Sequence, residues 1–199
     1  MWRKGDVWFF QPREPVFDSN TVIIDDEELV IIDPGTESRE YFKEVLEETG
    51  NSFNDVDIVF YTHGHYDHFE GTNMFPDTEK IAFHPDGKRI EDKMGFEVEE
   101  MKEETTLSFG NLSFKVLHTP GHSEGSCSLY LPDKLLICGD LVFANGSFGR
   151  TDLEGGSREK LKNSLEKLIE LDFEYLLPGH REIGNKESVK RALENIDTF

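Results

Sequence analysis

Short apolar runs separated by charged turns organise this chain. Asn20–Ile24 and Leu29–Ile32 are β-branched runs on either side of the acidic turn Asp25-Asp26-Glu27-Glu28, the pattern of a β-hairpin. Asp33-Pro34-Gly35 then interrupts the backbone. From Glu37 to Thr49 the period changes: Tyr41, Phe42, Val45 and Leu46 recur at helical spacing, and Gly50 supplies a C-terminal stop. Val56–Tyr61 and Lys80–Phe83 read as strands. Residues 84–104 are highly charged and weakly patterned; Pro85-Asp86 opens a short helix there, and the stretch either shields a site or serves as a solvated connector. Thr106–Phe109, Gly110-Asn111 and Leu112–Leu117 form a second hairpin. Two further strands, Ser126–Leu131 and Leu135–Cys138, are joined by Pro132-Asp133-Lys134. Ser157–Leu171 places Leu161, Leu165, Leu168 and Ile169 on one side of a helix. Tyr175–Leu177 is a short strand and Glu187–Ile196 a closing helix.

No repeat, low-complexity tract or linker divides the chain, so one domain over residues 1–199 is expected. Roughly equal halves, each with strands first and a helix after, predict an α+β fold of two sheets sandwiched between outer helices. The aromatic cluster of Trp2, Trp8, Phe9 and Phe10 is expected to cover the first sheet, with a partner surface as the alternative.

Charge and composition narrow the function classes. Forty-one acidic against twenty-one basic residues give a net charge of −20, which repels a phosphate backbone and argues against a nucleic-acid partner. An acidic surface is otherwise a common means of staying soluble. No apolar run approaches the roughly 18 residues that span a bilayer, and the first residues lack the apolar segment of a secretory signal. A soluble cytoplasmic protein without a membrane partner is the expectation, with oligomeric state undetermined. Cys127 and Cys138 are too few for a disulfide framework and lie in apolar runs, as buried, inert thiols do.

The candidate chemistry sits where strands end. Directly after Val56–Tyr61 comes Thr62-His63-Gly64-His65-Tyr66-Asp67-His68, three of the chain's seven histidines with a carboxylate. Imidazole and carboxylate together suit zinc, iron or manganese. A polar loop rich in histidine by accident is the plain alternative, and later segments argue against it. Pro120-Gly121-His122, Gly139-Asp140 and Gly179-His180 each follow a strand and deliver another ligand-capable side chain. His118, on a strand, suits a packed and hydrogen-bonded role; His84, at the end of Lys80–Phe83, suits a structural one.

These motifs, in this order from about Asn20 to His180, resemble those of the metallo-β-lactamase superfamily. The resemblance implies a four-layer αββα sandwich with the site at one edge of the paired sheets. It implies that His63, His65 and His122 hold one divalent cation, that Asp67, His68 and His180 hold another, and that Asp140 bridges them. Zinc is the first candidate metal, iron or manganese the others. Two such cations can share and acidify a water, giving a metal-bridging hydroxide near neutral pH; Asp67 and Asp140 are the carboxylates implied in catalysis. Asp33 is expected either to orient a ligand imidazole or simply to cap the turn before Pro34.

Within the superfamily, Gly149-Arg150-Thr151-Asp152, followed by Gly155-Gly156, resembles the loop of short glyoxalase II-like (hydroxyacylglutathione hydrolase-like) enzymes, implying hydrolysis of a small-molecule thiolester. Two features depart from the two-domain members of that branch. Only nineteen residues follow His180, so a basic helical extension for glutathione is not expected. Asp152 also stands where tyrosine is usual. Arg150 is expected either to bind a substrate carboxylate or to pin its own loop by pairing with Asp152 or Glu154. A persulfide dioxygenase with one non-haem iron on His63, His122 and Asp140 is the alternative; a metal-dependent nuclease or lactonase ranks lower.

Overall fold

The computed structural model describes residues 1–13 and 18–198. Its first sheet follows chain order: β1 (Trp2–Lys4), β2 (Val7–Phe10), β3 (Thr21–Asp25), β4 (Leu29–Ile32), β5 (Ile58–Tyr61), β6 (Glu79–Phe83) and β7 (Glu99–Met101). Pairing is antiparallel from β1 to β4 and parallel from β4 to β7. The parallel half needs crossovers, which include α1 (Arg39–Thr49), the single-turn α2 (Tyr66–Phe69) and α3 (Asp86–Met94). The second sheet has the order β12-β11-β10-β9-β8, from β8 (Thr105–Phe109), β9 (Leu112–His118), β10 (Cys127–Leu131), β11 (Leu135–Gly139) and β12 (Tyr175–Pro178). Helix α4 (Arg158–Ile169) carries the chain from β11 to its parallel neighbour β12, and α5 (Lys186–Ile196) follows.

The period of two decides the layers. Val22, Ile24, Val30, Ile32, Ile58 and Phe60 turn inward against Phe114, Val116, Leu129 and Ile137 of the other sheet. The intervening Ile23, Ile31 and Val59 pack outward with Phe42, Leu46 and Ile90 of α1 and α3. On the far side, Leu136, Cys138 and Leu176 meet Leu161, Leu165 and Leu168 of α4 and Val189 and Ala192 of α5. With both faces covered, the central strands are buried throughout. This is the expected αββα order.

The differences from the sequence reading are local. Trp2, Trp8, Phe9 and Phe10 lie in two added strands, β1 and β2, with Phe9 in the inter-sheet core and Trp8 and Phe10 on the helical side. Helix α1 begins two residues later than expected because the Ser38 hydroxyl caps it, accepting from Tyr41 N at 3.2 Å, and it ends at Gly50 with φ 86°. The charged stretch 84–104 holds the short helix expected at Pro85-Asp86, α3, and also the edge strand β7, which was not expected. Cys127 and Cys138 are buried free thiols as expected; burial pushes Cys127 well up and Cys138 up to about 12.

At one edge the two sheets are laced together. Cys127 N donates to Thr62 O at 2.9 Å and Asn20 N to Gly179 O at 2.6 Å. The Asn20 amide adds bonds to Pro178 O and Arg181 O. Thr62 and Gly179 adjoin His63 and His180, so this lacing fixes the spacing between ligand loops from different sheets.

Candidate metal centre

Four strand ends deliver seven polar side chains to that edge. The β5–α2 turn carries His63 and His65, and α2 itself carries Asp67 and His68 one position apart. His122 follows β9, Asp140 follows β11 and His180 follows β12. His63, His65 and His122 each place one ring nitrogen within 4.8 Å of the others, as do the ligand atoms of Asp67, His68 and His180. Those are the two sets expected from the sequence. Asp140 lies between them: its Oδ1 is 3.4 Å from His68 Nε2, and its Oδ2 is 3.6 Å from His122 Nε2 and 3.4 Å from His180 Nε2. Asp67 Oδ2 is 3.1 Å from His180 Nε2.

Two tightly packed glycines make this approach possible. Gly139 holds φ 50°, a left-handed conformation that costs glycine little. At Gly179 an added Cβ would overlap the Asp140 carboxylate and stand 2.7 Å from His68 Cε1.

The far side of each ring sets which nitrogen faces the cluster. His122 Nδ1 lies 2.8 Å from Arg150 O, and His180 Nδ1 lies 2.9 Å from Asp18 O. Carbonyl oxygens only accept, so both Nδ1 atoms carry a proton and both Nε2 atoms turn inward. His68 Nδ1 donates to Asp33 Oδ2 at 2.8 Å with the same result. Asp33 also accepts from Thr62 N at 2.8 Å and from Thr62 Oγ1 at 2.6 Å. With its own proton spent on Asp33, the Thr62 hydroxyl can only accept from His63 Nδ1, 3.1 Å away. One buried carboxylate thus orients two imidazoles, and it sits in the left-handed region at φ 53°. Of the two roles the sequence left open, Asp33 takes the orienting one: among the described residues its carboxylate bonds Thr62 and His68 and not the turn before Pro34. His65 is the exception, facing the cluster with Nδ1, 2.7 Å from His122 Nε2.

Three inward atoms, His63 Nε2, His68 Nε2 and Asp140 Oδ1, are buried without a hydrogen-bond partner among the described residues. Burying polar atoms unpaired costs about 1–3 kcal/mol each, and divalent cations held by the two sets, with Asp140 shared, would satisfy all three. The donor set of imidazole nitrogen and carboxylate oxygen suits such a cation.

Metal-free, the site splits electrostatically. Burial lowers His63 well below the usual imidazole range, lowers His122, and takes His65 down to about 4, with neighbouring imidazoles adding to the effect on His63 and His65. Burial also opposes charging at His68 and His180, but carboxylates outweigh it. Asp33 and Asp140 hold His68 well up, and Asp140 and Asp67 raise His180 to about 9. Against its own burial, Asp140 is held well below the carboxylate range by His68 and His180. Negative charge is thus stored where cations would sit.

The other sequence candidates fall outside the cluster. Arg150 Nε and Nη2 donate to both oxygens of Asp152 at 2.9 and 2.8 Å, so its guanidinium pins the loop. It still lines the cleft of about 910 Å³ above the cluster, together with Tyr66, Phe143, Phe148 and Arg181. His118 stacks on Phe83 at 4.4 Å and bonds Glu124 O, and His84 bonds Glu100 at 3.0 Å.

Sequence reasoning missed Thr62, Asp18 and Asp86. Buried Asp86, at the start of α3, accepts from Gly64 N at 2.8 Å, Ser123 Oγ at 2.5 Å and Gly125 N at 3.2 Å. It thereby ties the loop of His63 and His65 to the loop of His122. The signal available was an aspartate in the first turn of a helix next to the ligand strand.

A family model for the metallo-beta-lactamase superfamily matches residues 15–180, and the chain belongs to that superfamily. It is 32% identical over 197 residues to a probable metallo-hydrolase of Methanocaldococcus jannaschii, covering 88% of this chain and 94% of that one. It is 39% identical over 118 residues to hydroxyacylglutathione hydrolase of Brucella ovis, a match spanning 58% of this chain and 44% of that enzyme. Among solved structures, TTHA1623 in a di-iron-bound form superposes with a TM-score of 0.75 at 27% identity, over 92% of this chain and 97% of that one.

Proposed function

We propose that this protein is a metal-dependent hydrolase of small-molecule thiolesters. His63, His65 and His122 would hold one divalent cation and Asp67, His68 and His180 a second, with Asp140 shared between them. The observation that carries the reading is the buried, unpaired trio of His63 Nε2, His68 Nε2 and Asp140 Oδ1, aimed inward while the opposite ring nitrogens bond Thr62 and Asp33. When bound, such cations supply Lewis-acid polarisation of a carbonyl and acidify water toward a pKa near 7. Zinc is the first candidate, and the di-iron form of TTHA1623 supports iron as the other.

The chain's own groups divide the remaining tasks. Asp33, Thr62, Asp18 O and Arg150 O hold the imidazoles in their ligating tautomers, so no reorientation is needed as charge develops. Asp140 and Asp67 supply the negative charge that keeps the cations in place. Phe143 and Phe148 give the cleft an apolar wall beside the cluster. A thiolate is a good leaving group and needs no strong acid. The buried, protonated thiols of Cys127 and Cys138 take no part. The name of the Brucella ovis relative supports a thiolester as substrate, over the part of that enzyme which the chain matches.

The test is metal content with turnover. Protein stripped of metal and reloaded with zinc or iron is given S-lactoylglutathione and glutathione persulfide in parallel. Hydrolysis of the thiolester that disappears on chelation and returns with metal is expected. Oxygen consumption with the persulfide, at one iron per chain, overturns the hydrolase reading.

A further inference from the structure

Along one flank the metal cleft opens into a second groove of about 630 Å³, between α3 and Leu153-Glu154. His65, Lys93 and Leu153 line both spaces, so they form one trough that starts at a candidate metal ligand. Three cations of α3 line it: Lys88, Arg89 and Lys93. Asp92 and Glu154 also line it, so the groove sets three cations against two carboxylates in a chain of net charge −20.

The three are not equally committed. Lys88 is held by Glu91 at 2.6 Å and Asp92 at 2.9 Å. Among the described residues Arg89 reaches only Glu154, at 3.7 Å, on a side chain 91% exposed. Such an ion pair is weak and readily exchanged. Among the described residues no carboxylate comes within 4.0 Å of Lys93, whose ammonium lies 5.6 Å from the Phe69 ring. Arg89 and Lys93 are one helical turn apart, so both project to the same side. The stem of Arg89 packs close to Gly64, between His63 and His65. Arg150 differs, being closed bidentately on Asp152.

We propose that this trough binds the anionic arm of the substrate, a thiol carrier bearing carboxylate or phosphate oxygens. The thiolester then lies at the cluster while the arm runs past His65 and Leu153 to Arg89 and Lys93. The guanidinium offers a planar fork and the ammonium a mobile point charge, and both suit anionic oxygens. Displacing Glu154 costs little because that side chain returns to water. The inference deepens the thiolester reading and rests on it for the position of the reacting bond.

Calorimetric titration of metal-loaded protein with S-methylglutathione and S-methyl-coenzyme A tests it, since a blocked sulfur keeps either probe off the metals. At least one probe is expected to bind at low salt. Arg89→Gln with Lys93→Gln should weaken that binding about tenfold or more, and so should the single surface change Lys93→Glu. Lys160→Gln, at an exposed lysine of α4, should leave binding unchanged. Binding of the coenzyme A derivative alone assigns phosphate; binding of the glutathione derivative alone assigns carboxylates. Failure of both probes to bind, or wild-type affinity in the double variant and in Lys93→Glu, overturns the proposal. The hydrolase reading is judged separately by wild-type turnover of an uncharged N-acetylcysteamine thiolester.

Discussion

Replacing Asp33 with asparagine keeps shape and volume but takes away an acceptor where three donors converge. Thr62 N, Thr62 Oγ1 and His68 Nδ1 all donate to this buried carboxylate at 2.6–2.8 Å. With its oxygen toward Thr62 N, the new amide sets its NH2 against His68 Nδ1–H and the Thr62 hydroxyl. Relief then requires His68 to give up its Nδ1 proton and keep one on Nε2, and Thr62 to donate to His63 Nδ1. Both Nε2 atoms would turn N–H toward the cluster and cease to be ligands. With the amide flipped, NH2 opposes Thr62 N–H instead and leaves a buried donor unpaired. Either arrangement costs about 1–3 kcal/mol. Taken through the tautomers, that cost appears as a 10–100-fold loss of metal affinity; taken through Thr62, it appears as lost stability. Competition against a chelating dye and denaturant unfolding of the metal-free variant read the two separately. Wild-type values in both, within about 0.5 kcal/mol, would refute the orienting role given to Asp33.

Metal uptake should release protons. His180, raised to about 9, is charged at neutral pH in the metal-free chain, and Asp33 and Asp140 hold His68 up as well. Their Nε2 protons must leave before they ligate, so affinity rises with pH towards about 9 and falls below it. Calorimetry in buffers of differing ionisation enthalpy should detect proton release on metal binding at pH 7, and no release would contradict the assignment. Asp86→Asn should loosen the cation of His63, His65 and His122 about tenfold while sparing the other, seen as one shifted step in a two-step competition titration. Equal weakening of both steps would show only general damage. Gly179→Ala should cost about 1–3 kcal/mol and displace Asp140. Crystals retaining the wild-type Asp140 position would show that the Gly179 approach is not limiting.

Much of this was legible because the strands announce themselves and the ligands follow them. Val56–Tyr61, Leu112–Leu117, Leu135–Cys138 and Tyr175–Leu177 are apolar runs whose ends carry His63, His122, Asp140 and His180. The period of two in Val22-Ile23-Ile24 already encoded which side faces the other sheet and which the helices. What escaped had no such signature. Strand β7 is an edge strand of Glu99, Glu100 and Met101, without apolar alternation. Helix α3 was signalled only by Pro85-Asp86 at its start, because Ile90 is its one buried large apolar residue and its period is hidden in a charged stretch. The support of His180 by Asp18 and of His122 by Arg150 uses main-chain carbonyls, which every residue carries, so composition cannot reveal it. Arg150 had two readings from sequence because only geometry shows its fork closed on Asp152.

The central claim is that two sets of side chains, joined by Asp140, hold two divalent cations. Metal per chain, measured by elemental analysis at one chelator-buffered free zinc concentration, tests it most directly in the wild type and in a variant joining His65→Ala with His180→Ala. Each change removes one ligand from one set while leaving the core of both sheets intact. The account predicts two zinc ions in the wild type and none in the double variant, with the fold retained by circular dichroism. Two ions still bound after both changes would contradict it.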